Sequence, residues 1–346
     1  MHTDTQSPID LRLDQLRHWL QVELQLPMDA IAPASADASF RRYFRVNVGD
    51  TTWIAMDAPP DREDSAPFVR VAQALAQIGV PVPVIRNADL TRGFLVLSDL
   101  GSTHLLSTLQ QGAEPKAAYA PAAAALLTMQ LRGQDAALHL PRYDEALLRR
   151  EMSLFPEWFL HRHLAMGPTD TVRAILDRAE AVLVQSALEQ PQAFVHRDYH
   201  SRNLMVTAAG GVGVIDFQDA VRGPVTYDLV SLYKDCYVAW HEDQVLTWAE
   251  EHRLRLLAAG WPVNDAQRFQ RWFDYMGLQR HIKVLGIFAR LWYRDGKGGY
   301  LSDLPLVLRY VLAVTAKYSE LAELDQFLRE EVVHRFDTAQ QGLGLT

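Results

Sequence analysis

The chain has 346 residues, which is too many for one small hydrophobic core, so two lobes or domains are expected. It is 49% hydrophobic and 22% charged, as folded proteins are, and its net charge of −8 argues against broad binding to nucleic acids or anionic membranes. The single cysteine, Cys236, excludes an intrachain disulfide, and without a leader-like or long apolar segment we expect a cytoplasmic protein.

Residues 1–97 predict a small lobe of mixed α and β structure. Apolar residues recur at helical spacing in the leading segment, and alternating segments joined by Gly49-Asp50 predict a β-hairpin. The predicted elements, in chain order, are a helix over about 9–26, strands over Phe40–Val48 and Thr51–Met56, a helix over 65–78, an extended Val80–Val84 and a buried strand over Phe94–Leu97.

After residue 103 the pattern becomes mostly helical, interrupted by two short apolar runs at Ala193–Val195 and Val212–Ile215. The sequence therefore predicts an α+β, bilobal chain with an N-terminal lobe over 1–97, a hinge over 98–103 and a helical C-terminal lobe over 104–346. The helices are predicted over 117–131, 145–164, 169–188, 227–241, 243–259, 266–292 and 303–329.

Two polar motifs directly follow the short apolar runs. His196-Arg197-Asp198 comes first, and Asn203 stands five positions beyond Asp198. Asp216-Phe217-Gln218 begins thirteen positions beyond Asn203. The first motif fits the kinase catalytic loop H-R-D-x-x-x-x-N, and the second fits the metal-binding D-F-G with glutamine in place of glycine.

Each motif residue has a physical role in phosphoryl transfer. Asp198 could accept the proton of an attacking hydroxyl, while Asn203 and Asp216 offer the hard oxygen ligands that Mg²⁺ prefers when it binds ATP phosphates. Phosphoryl transfer needs positioning and charge neutralisation more than covalent chemistry. We therefore predict an ATP-dependent kinase, in which His196 orients the loop.

The chain resembles the aminoglycoside phosphotransferase/choline kinase superfamily, whose fold is similar to that of protein kinases. Within it, the chain looks most like the bacterial cell-wall-recycling kinases that phosphorylate N-acetylmuramate and N-acetylglucosamine at the anomeric hydroxyl. The segments that carry the resemblance are Ser39–Arg45, Met56–Pro60, Leu97–Gly101, His196–Asn203 and Ile215–Ala220. The resemblance implies a nucleotide-binding N-terminal lobe, and a C-terminal lobe with the catalytic loop and the acceptor site.

Spacing weighs against a protein kinase. Tyr227-Asp228-Leu229 begins so soon after Asp216 that no ordinary activation loop fits between them, and no Ala-Pro-Glu follows. In the resembled superfamily this aspartate braces the catalytic loop, which implies a structural role for Asp228.

The N-terminal lobe departs from the kinase pattern in two ways. Met56 stands where the strand lysine is expected, and the segment Ala34–Ser39 has no glycine. Arg41, Arg42 and Arg45 cluster in the adjacent strand, and alternation puts Arg41 and Arg45 on one face, so one of them could hold the phosphates. Glu63 or Asp64 could orient that cation.

The remaining candidates are contacts with nucleotide and acceptor. By resemblance, the Ser98 carbonyl and the Leu100 amide would bind the adenine edge. In the helical lobe, Glu151 could bind a sugar hydroxyl or an amine, and Trp158 could stack on a sugar ring. Tyr199, His200 and Arg202 lie on the catalytic loop, and Arg202 or Arg280 could pair the lactate carboxylate of N-acetylmuramate.

The leading hypothesis is a kinase that uses ATP and Mg²⁺ to form the 1-phosphate of N-acetylmuramate or N-acetylglucosamine. An aminoglycoside- or choline-type kinase is the first alternative, and it would want acids such as Asp219, Glu242 and Asp243 around a cationic acceptor. A non-catalytic nucleotide-binding pseudokinase is the second, because the strand lysine and the glycines are missing.

Overall fold

The structure is a computed structural model that describes residues 10–36 and 40–344, so the end of the glycine-free segment Ala34–Ser39 lies outside the described residues. The strands are β1 (Ala30–Ala36), β2 (Arg42–Val48), β3 (Thr51–Asp57), β4 (Ile85–Asp89), β5 (Phe94–Ser98), β6 (Gln192–Val195), β7 (Leu204–Val206), β8 (Val212–Val214) and β9 (Val221–Pro224). The α-helices are α1 (Leu11–His18), α2 (Ala66–Gln77), α3 (Leu105–Gln110), α4 (Pro115–Arg132), α5 (Gln134–Ala137), α6 (Glu145–Met152), α7 (Asp170–Leu188), α8 (Tyr227–Tyr233), α9 (Glu242–Ala258), α10 (Ala266–Tyr293), α11 (Leu304–Thr315), α12 (Ala322–Phe327) and α13 (Val333–Gly342).

The described chain divides into two compact units. One comprises the residues up to Ser102 together with Met205–Gln218, and the other comprises Thr103–Leu204 and everything from Asp219 onward. The first unit is therefore discontinuous in sequence, which the predicted division at residues 97–104 did not include. No helix of the described residues has both the length and the apolar character needed to cross a bilayer.

The first unit is built on an antiparallel sheet in the order β1-β2-β3-β5-β4. The predicted hairpin joins β2 to β3, and Gly49 supplies the left-handed backbone (φ 56°) that such a tight turn requires. The predicted leading helix is α1 continued by a π-helical turn at Trp19–Glu23. Its buried side chains Leu16 and Trp19 pack in one core cluster with Phe44 of β2.

The second unit is organised around α10, whose 28 residues are buried along most of their length. The backbone of Leu154 packs closely against α10 at Gly286. A Cβ at Gly286 would lie 2.4 Å from the Leu154 carbonyl carbon, so only glycine fits there. The segment that contains Leu154 continues as a π-helix at Phe155–His163, which Pro156 opens. The predicted helix over 145–164 is therefore split in two.

Two other predicted helices are shorter than expected. The helix predicted over 227–241 ends at Tyr233, because the Asp235 carboxylate accepts the Tyr237 N–H (3.1 Å) and draws the chain out of the helix. The helix predicted over 303–329 breaks after Thr315. The strands β1, β4, β7 and β9 were not predicted, and β1 and β9 contain proline, which is uncommon inside strands.

Two short strand pairs position the motifs. β6 pairs with β9, and β7 pairs with β8. The segment 196–203 therefore connects β6 to β7, and the segment 215–220 connects β8 to β9. Both predicted motifs lie on loops that leave short, buried strands.

Candidate active site

The catalytic loop begins with a backbone turn that a buried acid holds. Asp228 in α8 accepts the His196 N–H at 2.7 Å and the Arg197 N–H at 3.0 Å. Arg197 has φ 77°, a left-handed conformation that costs a non-glycine residue free energy and persists where surrounding bonds impose it. Burial raises the pKa of Asp228 to about 7, although both N–H donors favour its charged form.

Asp198 is half-buried at the centre of this loop. Burial alone would raise its pKa, but the positive charges of Lys283, His200, Arg280 and Arg197 together hold the pKa of the carboxyl below its usual value. The Asn203 side-chain nitrogen donates to the Asp198 backbone carbonyl at 3.0 Å, closing the loop across five residues. Within the described chain the carboxylate itself accepts no hydrogen bond, so Asp198 is an ionised acid with acceptor capacity.

A buried polar cluster stands behind the catalytic loop, centred on Glu151 of α6. Its carboxylate is ion-paired with Arg197 and with Lys283 (3.0 Å), and it accepts a hydrogen bond from the Tyr143 hydroxyl. Lys283 also donates to the Tyr227 hydroxyl at 3.0 Å. Burial would raise the pKa of Glu151, but the charges of Lys283 and Arg197 lower it below its usual value. Two cations thus share one anion beside the loop.

The far end of the loop is held by a second buried acid, Asp235. It accepts both the backbone N–H (2.9 Å) and the hydroxyl (2.5 Å) of Ser201. The Ser201 carbonyl accepts the Leu106 N–H at 3.1 Å, and the Arg202 carbonyl contacts His104 Nδ1 at 2.7 Å. The catalytic loop is therefore fixed at both ends within its own unit.

Asp216 follows β8 in the first unit and also has a left-handed backbone, with φ 65°. Gln218 Nε2 donates to its Oδ1 at 2.7 Å. Phe217 is fully buried and its ring lies 4.9 Å from that of Phe68 in α2. The strand β8 is hydrogen-bonded to the segment before β4, because the Val214 N–H donates to the Pro81 carbonyl at 2.7 Å. The glutamine that replaces glycine in the motif thus contacts the Asp216 carboxylate.

The arginines of β2 have different partners. Arg41, just before the strand, is buried and forms an ion pair with Glu63 at 3.1 Å. Arg45 is ion-paired with Asp99 at 2.5 Å and donates to the Gly101 carbonyl at 3.0 Å. Met56 is fully buried in β3, opposite Tyr43 and Leu95. The structure therefore places a buried Arg–Glu pair in the unit that lacks the strand lysine.

Ser98 and Leu100 lie at the start of the predicted hinge. The Ser98 N–H donates to the Val84 carbonyl (2.9 Å), and Ser98 Oγ accepts the Val84 N–H (2.8 Å). The Leu100 side chain packs on Gly213 of β8, where a Cβ would lie 2.7 Å from Leu100 Cδ1. Among the described residues, nothing accepts a hydrogen bond from the Leu100 N–H.

The predicted acceptor residues are not all brought together. Tyr199 is fully buried and its hydroxyl donates to the Ala122 carbonyl at 2.8 Å, which anchors the loop to α4. Trp158 is half-buried in the π-helix. Arg202 stacks on Tyr237 at 3.6 Å, whereas Arg280 is buried near Asp198.

Sequence reasoning missed Lys283 and Asp235. Both lie far from the motif along the chain, and both are polar residues in segments that otherwise have the apolar spacing of core helices. A buried lysine or aspartate needs a charged or hydrogen-bonding partner, so their positions on predicted buried faces were the available signal.

A five-stranded sheet unit and a helical unit with a braced H-R-D loop define a kinase-like phosphotransferase. The chain belongs to the phosphotransferase enzyme family (APH), whose sequence pattern matches residues 30–265.

Two relatives carry the same name. The chain is 47% identical over 330 residues to the N-acetylmuramate/N-acetylglucosamine kinase of Pseudomonas aeruginosa, covering 92% of this chain and 96% of the relative. It is 44% identical to the protein of that name from Pseudomonas putida, covering 93% and 97%. Among solved structures it is similar to an ethanolamine kinase from Plasmodium vivax (TM-score 0.61, 12% identity, covering 89% and 91%), a likeness of fold.

Proposed function

We propose that this protein transfers the γ-phosphoryl group of ATP to the anomeric hydroxyl of N-acetylmuramate or N-acetylglucosamine, giving a sugar 1-phosphate and ADP. The observation that carries the proposal is the 47% identity, over nearly the whole chain, to a relative named for both sugars. Such a product would feed peptidoglycan recycling, in the cytoplasm where ATP is available.

Asp198 is proposed as the general base. It accepts the proton of the anomeric hydroxyl while that oxygen bonds to the γ-phosphorus and the bond to the ADP oxygen breaks. An anomeric hydroxyl is more acidic than the other sugar hydroxyls, so a carboxylate is an adequate base. The depressed pKa of Asp198 keeps it ionised at neutral pH, and the braces at Asp228 and Asp235 hold it in place.

Asn203 and Asp216 are proposed as the ligands of Mg²⁺. Because the Asn203 nitrogen is committed to the Asp198 carbonyl, the amide presents its oxygen at the other end, and Asp216 supplies an anionic oxygen. Both oxygens are hard ligands, as Mg²⁺ prefers. In sites that bind a nucleotide, Mg²⁺ takes one or two protein ligands, and phosphate and water supply the rest. When bound, the ion would neutralise charge on the ATP phosphates.

Arg41 is the better-supported candidate for the cation that grips the phosphates. Its pairing with Glu63 matches the lysine–glutamate pair of kinases, in which the acid orients the cation. The guanidinium of Arg45 already binds Asp99 and the Gly101 carbonyl, which suits it to hold the predicted hinge. The Leu100 N–H and the Ser98 carbonyl are proposed to bind the adenine edge, and the half-buried Trp158 is proposed to stack on the sugar.

The test is a phosphotransfer assay with ATP and Mg²⁺ against N-acetylmuramate, N-acetylglucosamine, an aminoglycoside and choline. We expect turnover with the two amino sugars. The ³¹P NMR signal of the product should show coupling to the anomeric proton. Turnover confined to choline or the aminoglycoside would support the alternative small-molecule kinase and overturn the sugar proposal. A protein that binds ATP but transfers phosphate to none of the four would support the pseudokinase.

A further inference from the structure

Arg280 in α10 is a buried cation that forms no direct ion pair with an acidic side chain of the described residues. Its side chain is 3% exposed, and in the described chain its only hydrogen bond runs from Nη1 to Cys236 Sγ at 3.2 Å. The Nε–H is buried and has no acceptor among the residues that the structure describes. A guanidinium has five N–H donors, so most of the donors of Arg280 have no acceptor in the described chain, and burying them without one costs free energy.

The other buried cations of this region are compensated. Lys283, one turn along the same helix, is paired with Glu151 at 3.0 Å, and Lys234 is paired with Asp274 at 2.8 Å. The thiol of Cys236 cannot serve as the counter-charge of Arg280, because burial raises the pKa of Cys236 to about 11 and leaves it neutral at physiological pH. Arg280 therefore has donors in reserve.

Arg280 also lies beside the catalytic loop, because its hydrogen-bond partner Cys236 directly follows Asp235, which holds Ser201 of that loop. Its charge is among those that stabilise ionised Asp198. Arg202, the other arginine considered for substrate binding, is occupied: it stacks on Tyr237 at 3.6 Å and faces Asp303 at 3.8 Å. The structure thus separates two candidates that the sequence left equal.

We propose that Arg280 is the specificity-determining residue that recognises the carboxylate of an acidic amino sugar. This inference rests on the proposed function. The two candidate sugars differ by the lactyl ether of N-acetylmuramate, whose carboxylate matches the fork of a guanidinium. N-acetylglucosamine has no such group and would leave Arg280 in its present state.

The experiment compares steady-state kinetics of the wild type, Arg280→Met, Arg280→Lys and Arg290→Met, with N-acetylmuramate, its methyl ester and N-acetylglucosamine. Arg290 is the matched control, because it lies in the same helix and also has a buried, unpartnered Nε, but its charged neighbours are Arg294, Asp295 and Glu157. Melting temperatures establish that each variant is folded.

We expect Arg280→Met to lower kcat/KM for N-acetylmuramate roughly 10- to 100-fold, as loss of a charge-assisted bond does, mainly through KM. On the pH-independent plateau of each profile, where Asp198 is ionised in every variant, kcat/KM for the methyl ester and for N-acetylglucosamine should change by less than about threefold. Arg280→Lys should be intermediate, and Arg290→Met should match the wild type for all three substrates. The inference is overturned if folded Arg280→Met shows an equal fall in kcat/KM for all three substrates, or no fall for any of them. Wild-type protein inactive on both sugars overturns the proposed function as well.

Discussion

The loop after β6 and the loop after β8 present the same local feature and are held by different kinds of contact. Each loop contains a residue with a left-handed backbone. In the first loop this residue is Arg197, directly before Asp198, and in the second it is Asp216 itself. The first loop is held by distant acids, Asp228, Asp235 and Glu151. Asp216 is contacted by Gln218, two residues away, and Phe217 anchors its loop.

The difference matches the two proposed tasks. A base must meet a hydroxyl within hydrogen-bond distance, and small displacements cost large factors in rate, so rigid bracing is worth its desolvation cost. A metal ligand is drawn into position by the cation it binds, so it tolerates a loop that is held by the packing of Phe217 on Phe68. The comparison predicts that damage to the first loop affects chemistry and folding together, whereas damage to the second affects nucleotide and metal binding.

The largest expected effect comes from Asp198→Ala. Removing the base should lower kcat by roughly 10²–10⁴-fold, while ATP affinity stays within about threefold, because Asp198 is not proposed to touch the nucleotide. Rapid-quench kinetics and isothermal titration with ATP measure the two quantities. Full activity in this variant would show that the assigned mechanism is wrong.

Asp216→Asn should have the next largest effect. Loss of the anionic oxygen should lower kcat roughly 10²–10³-fold and raise the Mg²⁺ concentration needed for half-maximal rate, which a metal titration detects. Asp219→Asn, an exposed acid three residues on, is the control and should behave as wild type. An unchanged metal dependence in Asp216→Asn would remove this residue from the proposed ligands.

Asp228→Asn tests the bracing of the first loop through stability. Both carboxylate oxygens accept a backbone N–H, and asparagine replaces one of these oxygens with an NH2 donor, so one buried N–H loses its acceptor. The free energy of unfolding by urea should fall by about 1–3 kcal/mol, and kcat should fall with it. Asp265→Asn is the control, since asparagine caps a helix as well as aspartate does and the α10 N-cap should survive. Equal stability of the two variants would contradict the bracing role.

The two loops also differ in how far the sequence predicts them. The positions of Asp198, Asn203 and Asp216 follow from motif spacing and from the apolar runs that predict β6 and β8. The partner strands β9 and β7 were not predicted. The bracing by Asp228 was expected from the family resemblance alone, and the pairing of Glu151 with Arg197 was not expected. Spacing reveals neither, because Glu151 and Asp228 stand 46 and 32 residues from the groups they bind. A pairing over such distances is decided by how helices pack, and helical periodicity does not encode which faces meet.

The smallest and most specific expected effect is a shift in pH dependence on Lys283→Met. Burial raises the pKa of Asp198. The neighbouring cations, Lys283 first among them, lower that pKa, so removing the charge of Lys283 should raise the pKa of Asp198. A base works only when deprotonated, so activity is lost as pH falls through its pKa, and the acidic limb of kcat/KM should move to higher pH.

Lys283→Arg should restore the wild-type profile of kcat/KM, because it keeps the charge. Lys234→Met, which removes a buried lysine paired with Asp274, should leave the profile unchanged even if it lowers the melting temperature. A pH profile of kcat/KM for the four proteins checks the prediction. Identical acidic limbs in all four proteins would mean that the cluster around Glu151 and Lys283 holds the loop in place without shifting the pKa of the base. The two loops would then differ only in how they are held.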